Sequence, residues 1–508
     1  MPSPRIFLPA LLLLASTIVA QAQVEQFVVL LPTHTSSGTY AGDYDIKGVK
    51  LSADGFVDWG LGEPRILSNL EVREHSPTAA PDGSSGFYLT YTVEYTDSAN
   101  LGDRDVLIRR KDATGMDVWN DSTTGGVLFV AQSGHYEMNP IAIPSGDGVI
   151  VIYEIYYSSG DFAGDFDIAA QRIRSDGTLA WEKPVTIANR EGREHLRGAY
   201  TDGLGNVVVI FERTNGSDST AQSDIVAARI DGDGTLGWGA GVIEVVVGGS
   251  PHSEENLSMQ PDGNGGAVIA YELRYMSGER KGDIDIIAQS ISASGERKWI
   301  DPAAPPIVSS IRNAYEVSPT LSIDSTGVTI AFEVFNTPSA RSGRPDFVGV
   351  QRLNANGRAL WNGGQRASVV AVKYRRAFSP IARPEGSGGT YVLVEAEDTV
   401  THDVDVYLQF FDRDGVPVLG ANKQAIPVFE GPMPEELPMV VNDAQGGIVV
   451  IAVENPSYRV STITSRDTTI IAQRMNARGE RTWNLGGTNL TVTRCQLGEY
   501  APSIVSSR

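Results

Sequence analysis

Asp176-Gly177-Thr178-Leu179-Ala180-Trp181 is the stretch that decides how this chain folds. A strand-like run, Asp167-Ile168-Ala169-Ala170-Gln171-Arg172-Ile173, precedes it. Here a Gly stands four positions before a Trp. The same spacing returns at Gly55/Trp59, Gly115/Trp119, Gly234/Trp238, Gly295/Trp299, Gly357/Trp361 and Gly479/Trp483. An eighth copy keeps Gly415 and carries Leu419 in the Trp position. All seven tryptophans of the 508-residue chain occupy this place. One unit is therefore repeated along nearly the whole sequence, and a repeat array can be one domain of any length.

The interval from Trp to Trp, or to Leu419, runs 60, 62, 57, 61, 62, 58 and 64 residues. Each unit holds four strand-sized runs. The first alternates small and apolar residues, as in Ser76-Pro77-Thr78-Ala79-Ala80-Pro81. A turn such as Asp82-Gly83 or Asp262-Gly263-Asn264-Gly265 follows, built of residues that accept positive φ. The second run is β-branched and aromatic, as in Gly266-Ala267-Val268-Ile269-Ala270-Tyr271-Glu272. A loop of about ten residues leads to the third run, and the Gly turn then leads to a fourth strand that starts at the Trp. No stretch has helical periodicity over a useful length.

Four antiparallel strands per unit, in tandem, predict an all-β chain: an eight-bladed β-propeller of four-stranded antiparallel blades. First-type strands begin near Ser76, Asn139, Arg197, Leu257, Ser318, Ser379, Leu437 and Ala501. The N-terminal run Glu25–Leu31 reads as a second strand without a first, and Ala501–Ser506 as a first strand without followers. Pairing the C-terminal strand with the N-terminal strands completes the eighth blade and closes the ring, which leaves no open sheet edge between the ends.

The hairpin Ala228-Arg229-Ile230-Asp231-Gly232-Asp233-Gly234-Thr235-Leu236-Gly237-Trp238 resembles the tryptophan-docking motif of eight-bladed quinoprotein dehydrogenases and their non-catalytic relatives. The resemblance implies architecture only, with Trp59, Trp119, Trp181, Trp238, Trp299, Trp361 and Trp483 as structural residues between blades. The adjacent cysteines often found beneath the quinone in those enzymes cannot exist in a chain with one Cys, Cys495, so no catalytic residue is carried over. The pattern Gly-Gly-x-Val-x-x-x-Glu followed by Asp-Ile-x-Ala-Gln-Arg is also similar to propeller repeats of secreted bacterial proteins. That similarity spans nearly the whole mature chain and implies no activity.

Composition narrows the partners. A formal net charge of −21 argues against nucleic acid and anionic membrane surfaces. Residues 1–22 read as a signal peptide, with Arg5 in the n-region, Ile6 to Ala20 as the apolar segment and Ala20-Gln21-Ala22 as the cleavage site. Residues 23–508 then form a single propeller, secreted to the medium, the cell surface or the periplasm. The lone Cys excludes an intrachain disulfide. A monomer is expected.

Three acidic series recur: Glu74, Glu137, Glu194, Glu254, Glu316, Glu435 and Glu499 before the first strand's Pro position, with Ala377 as the break; Glu94, Glu154, Glu212, Glu272, Glu333, Glu395 and Glu454 at the end of the second strand; and Asp45, Asp105, Asp167, Asp224, Asp285, Asp346 and Asp405 at the start of the third. In antiparallel blades these three places fall at one end of the sheet, so all converge on one face of the disc. One reading is an acidic ring for cations, Ca²⁺ being the hard cation that carboxylates suit. The other, favoured by the recurrence, is an internal network whose partners are the basic residues of the third strand: Lys50, Arg110, Arg172, Arg229, Arg352 and Arg474. No catalytic motif and no dedicated metal-ligand or cofactor motif appears.

Function is sought where the repeat breaks its own rules. Ala377 stands beside a basic run, Lys373-Tyr374-Arg375-Arg376, and Arg341 and Arg344 lie in the preceding unit's loop on the same face. The same unit loses its Trp at Leu419 and its basic residue at Phe410. These six residues, Arg341, Arg344, Lys373, Tyr374, Arg375 and Arg376, are the candidate docking site for a protein or glycan ligand. The expected function is a non-enzymatic binding scaffold. The alternative is a carbohydrate-active hydrolase or lyase using acidic residues near the central channel, and a third reading is a periplasmic assembly factor.

Overall fold

The computed structural model describes residues 26–35, 43–59, 64–96, 100–119, 126–190, 192–215, 221–238, 244–247, 250–299, 307–336, 343–364, 367–443, 445–454, 468–483, 490–495 and 503–506. The expected signal segment, Arg341 and Glu499 lie outside them. The described chain is built of strands, with two single 3-10 turns at Trp361–Gly364 and Ala421–Lys423.

The strands fall into four-stranded antiparallel units. In blade 1 they are Arg73–Pro81, Phe87–Glu94, Arg104–Lys111 and Leu128–Ala131. Blades 2 to 7 start with Tyr136–Ser145, Arg193–Thr201, Ser253–Pro261, Tyr315–Asp324, Arg375–Pro384 and Glu435–Asn442. A further unit joins the two ends of the chain: Ser503–Ser506 pairs antiparallel with Gln26–Thr35, which pairs with Asp43–Ser52 and then Arg65–Ser68. This β-propeller arrangement is the one the repeat predicts. First strands of successive units lie side by side, and Ser503–Ser506 touches both Glu435–Asn442 and Arg73–Pro81.

The core lies between blades. Second strands are apolar on both faces, as in Gly148–Tyr156, whose first seven residues are all buried. One face packs on the preceding blade and the other on the following one. Hence Ile150 and Ile152 join one cluster with blade 3, while Val149, Val151 and Tyr153 join another with blade 1. A two-sided apolar strand is what a sheet covered on both faces requires.

The Trp is placed differently from the sequence expectation. It does not begin the fourth strand. A tight hairpin closes on one isolated bridge, such as Ile173↔Leu179, then Trp181 follows, and the outer strand comes only at Val185–Ala188. From there each indole crosses to the next blade and lies on the Gly of that blade's hairpin. A Cβ on Gly55 would meet Trp483 at 2.7 Å, and one on Gly295 or Gly357 would meet Trp238 or Trp299 at 2.6 and 2.7 Å. Gly is thus required twice over, by positive φ (82° at Gly55) and by this contact. In the irregular copy, Gly479 faces Leu419.

The indole Nε1 also donates to a carbonyl in that next hairpin: Trp119 to Ser175 O (2.9 Å), Trp181 to Gly232 O (3.1 Å) and Trp483 to Ala53 O (2.9 Å). In several blades the basic residue of the third strand donates to the same oxygen. Arg110 reaches Ser175 O at 2.8 Å, Arg172 reaches Gly232 O at 2.8 Å and Arg474 reaches Ala53 O at 2.9 Å. These arginines do not serve the three acidic series. Their carboxylate partners are Asp82, Asp147 and Asp443, in the turns between first and second strands. Those turns lie on the opposite face of the disc, called here the hairpin face.

Candidate functional site

The other face, the loop face, gathers the three acidic series as expected, but most of their members are engaged within the fold. Glu74, Glu137, Glu194, Glu254, Glu316 and Glu435 are buried at blade junctions. Glu74 accepts a hydrogen bond from Ser68 Oγ, and Glu316 from Ser309 Oγ (2.9 Å) and Ile311 N (2.8 Å), groups that follow or end the preceding blade's outer strand. Each also faces an Asp of the third series in the preceding blade, such as Asp45 beside Glu74 and Asp285 beside Glu316. Burial, reinforced by the facing Asp, pushes Glu74 and Glu316 up to about 8, and Glu137 and Glu194 to about 7.

The third series has its own partners. Tyr95, Tyr157 and Tyr275 donate their hydroxyls to Asp105, Asp167 and Asp285 at 2.7–2.8 Å. The second series latches inner strands together. Every first strand from blade 1 to blade 7 slips register, between Met138 and Ile141 in blade 2 for example. In six of these bulges a residue is left-handed: Ser76, Asn139, Asn256, Ser318, Ser379 and Leu437, with φ of 46–54° or 55°. Three of these amides reach the preceding blade. Ser318 N, Ser379 N and Leu437 N donate to Glu272, Glu333 and Glu395 at 2.9, 2.7 and 2.8 Å. Two members of the sequence-derived series are out of register: Thr92 and Val453 occupy the equivalent places, not Glu94 and Glu454. Among the described residues, no group of three or more His, Cys, Asp or Glu is placed to hold a metal ion.

Blade 6 departs from these rules. Ala377 stands where the junction Glu should be, and Asp398 occupies the place from which Tyr95 or Tyr157 donates. Asp405 therefore has no tyrosine hydroxyl. Arg375 takes over, with Nη1 2.5 Å from Asp405 Oδ2 and its guanidinium 5.5 Å from the Tyr407 ring centroid. Arg375 is thus turned inward, against its expected place in an exposed basic run. Buried Glu435 shares this charge cluster. Burial and the neighbouring Asp405 raise Glu435, so it holds its proton and bonds the Asp405 carboxylate.

Arg344 is likewise engaged. It stacks 3.6 Å over the Phe378 ring and donates from Nε to Glu397 Oε2 at 2.5 Å. Glu397 Oε1 lies 2.9 Å from His402 Nδ1, so Arg344, Glu397 and His402 form a chain from blade 5 across blade 6. Burial pushes Glu397 up, but hydrogen bonds from Arg344 and His402 outweigh it and hold the carboxyl below its usual value. The His402 side chain is 74% exposed. The turn that carries it is pinned by Asp398, which accepts Val400 N and Thr401 N at 2.8 Å each.

Three of the six sequence candidates remain on the surface. Lys373 and Arg376 are exposed, and Tyr374 is 76% exposed with Lys373 Nζ 5.1 Å from its ring centroid. Thr399 in the His402 loop donates from N and Oγ1 to Tyr374 O, which ties the basic run to that loop. An open groove of about 460 Å³ runs beside it, lined by Thr401, His402, Asp403, Pro432 and Pro434. Glu395, on the second strand of the same blade, is buried, and burial pushes it up to about 7, with Glu436 adding to the rise. The sequence reading missed His402, Glu397 and Glu436. The available signal was that the 398–403 loop belongs to the same irregular unit.

No family model matches the chain, and no curated protein does. Solved structures similar to it include the polysaccharide lyase Uly1, at 11% identity over 76% of this chain and 88% of that one, with a TM-score of 0.40. A PL25 ulvan lyase bound to -[GlcA(1-4)Rha3S]- is similar at 12% identity over 72% and 88%, TM-score 0.38. The β-propeller domain of the Trilobed protease from Pyrococcus furiosus is similar at 9% identity over 83% and 95%, TM-score 0.39. The functional argument rests on the side chains described above.

Proposed function

We propose that this chain is an exported carbohydrate-binding propeller that takes an acidic glycan on its loop face at blades 5 to 7. The observation that carries this reading is the exposed Lys373-Tyr374-Arg376 cluster beside the His402 groove. It stands on a chain of net charge −21, in the one described blade whose junction Glu is replaced, by Ala377. An exposed aromatic ring offers its face to a pyranose, and the two cations attract uronate or sulfate groups through a local field opposite in sign to the rest of the molecule. The signal-like segment 1–22 supports export. Calorimetric titration with size-defined uronic and sulfated oligosaccharides tests the site. The double variant Lys373→Glu/Arg376→Glu should bind at least about tenfold more weakly. Equal affinity for wild type and variant overturns it.

A second reading, a carbohydrate-active hydrolase or lyase, is supported by the Arg344–Glu397–His402 chain. A carboxylate at Nδ1 directs Nε2 outward and suits the ring to take a proton from a bound sugar. Glu395, raised toward neutrality, is a carboxyl able to exchange protons near pH 7. Incubating acidic oligosaccharides with the protein and following reducing ends and unsaturated products tests it. Turnover lost in both His402→Ala and Glu395→Gln supports an enzyme, and intact chains after prolonged incubation exclude one for those substrates.

A further inference from the structure

Blade 2 carries a row of side chains on the loop face that the site above does not use. Strand register sets Arg104, Tyr136, Tyr156, Phe166 and Arg193 next to one another. Tyr156 lies opposite both Tyr136 and Phe166, and single parallel bridges add Arg104 at one end and Arg193 at the other. Ring centroids are 5.6 Å apart for Tyr136 and Tyr156 and 4.8 Å for Tyr156 and Phe166. The Arg104 guanidinium lies 5.9 Å from the Tyr136 ring centroid. Four interstrand steps give a row about 19 Å long.

The row is not core packing. Tyr136, Tyr156 and Phe166 are each half-buried. Blade 5 provides the contrast, because Tyr315 and Phe335 hold the corresponding places and pack there against buried Ile284 and Val317. In blades 1, 3 and 6 the places are polar: Arg73 and Glu94, Arg193 and Thr214, Arg376 and Glu397. Phe162, 65% exposed at the tip of the adjoining loop, stands 5.9 Å from Tyr157 and adds an aromatic face beside the row. Asn139 and Arg197 bond Glu154 and Glu212.

We propose that the blade 2 row is a second glycan subsite, a platform on which several pyranose rings of an acidic oligosaccharide lie between Arg104 and Arg193. Aromatic rings side by side over this length suit a chain of sugars, whose apolar C–H faces pack on them. Arg193 is exposed and makes no ion pair among the described residues, so it is available to a carboxylate or sulfate of the ligand. The proposal rests on the reading of the protein as a carbohydrate binder, and adds the place and the ligand length.

The test uses the full mature chain and uronic or sulfated oligosaccharides of two lengths, a disaccharide and an octasaccharide, titrated calorimetrically. Phe162→Ala and Arg193→Ala are surface changes that leave the fold intact, and Tyr156→Ala removes the centre of the row. Each should weaken octasaccharide binding by about fivefold to tenfold. The disaccharide should lose less. Octasaccharide binding unchanged in Phe162→Ala and Arg193→Ala, but lost in Lys373→Glu/Arg376→Glu, overturns the platform and leaves the blade 6 site standing. Binding lost in the blade 2 variants alone supports the platform and moves the site away from blade 6. No binding by the wild type overturns both.

Discussion

The two faces of the disc are held by different rules. On the hairpin face one rule serves blade after blade: an indole lies on the next hairpin's Gly and usually donates to a carbonyl there, as Trp59 does to Ala113 O (3.2 Å) and Trp361 to Arg413 O (3.0 Å). On the loop face the Asp that starts the third strand keeps a Tyr partner in three blades and takes other partners elsewhere. Tyr157 serves Asp167, Asn215 serves Asp224 and Arg375 serves Asp405. Where geometry is repeated, the side chains have no freedom to vary. Where each blade solves the problem differently, single blades are free to carry a ligand.

The sharpest way to break this contrast is on the hairpin face. Trp483→Ala removes an indole that packs on Gly55 and bonds a carbonyl in the blade formed by the chain's two ends. It should destabilise the fold by about 3–5 kcal/mol in urea unfolding. Among the described residues Trp238 Nε1 has no hydrogen-bond partner, so Trp238→Ala should cost about 1 kcal/mol less. Equal losses would remove the carbonyl bond from the account. Gly295→Ala should also destabilise, because φ is 79° there and Trp238 lies within 2.6 Å of the new Cβ.

A smaller effect comes from the junction carboxyls on the loop face. Glu74 and Glu316 have folded values near 8 against an ordinary 4.5, so between these the folded state holds protons that the unfolded state has lost. Their contribution is complete below pH 4.5 and declines as pH rises toward 8. The melting temperature should therefore fall over that window, and Glu316→Gln should reduce the slope. A flat profile in the wild type would contradict the burial of these protons.

Least disruptive are surface changes in blade 6. Lys373→Glu and Arg376→Glu should alter stability by no more than about 0.5 kcal/mol, since both side chains are exposed. Arg375→Glu sets the comparison, because it places a third carboxyl against Asp405 and Glu435 and should unfold this sector.

Much of this architecture was legible in the sequence because repetition exposes it. The Gly and Trp positions locate every described hairpin, and Leu419 still occupies the indole's place against Gly479. The outer strand was misplaced because it is short, four residues at Val185–Ala188 and two at Ser368–Val369, and carries no alternation to detect. The second acidic series was misassigned in two blades because Glu94 and Glu454 stand two residues and one residue beyond Thr92 and Val453, which pair with His75 and Glu436. The arginines were assigned to the wrong face because their partners, Asp82 and Asp147, lie in turns that read only as turns. The irregular unit marked the sector on which the proposed site rests. It could not show that Arg344 and Arg375 are consumed by Glu397 and Asp405, since that depends on a missing Glu and a missing Tyr in three dimensions. His402 carries no periodic signal at all.

The division between the faces is tested most directly by measuring melting temperature and acidic-oligosaccharide affinity on the same four proteins: wild type, Trp238→Ala, Lys373→Glu/Arg376→Glu and Phe162→Ala. The hairpin-face variant should lose stability and, below its melting point, keep its affinity. The two loop-face variants should keep their melting temperature and lose affinity. Loop-face variants that bind as the wild type does, or that melt as early as Trp238→Ala, would contradict a scaffold face and a recognition face in one ring of blades.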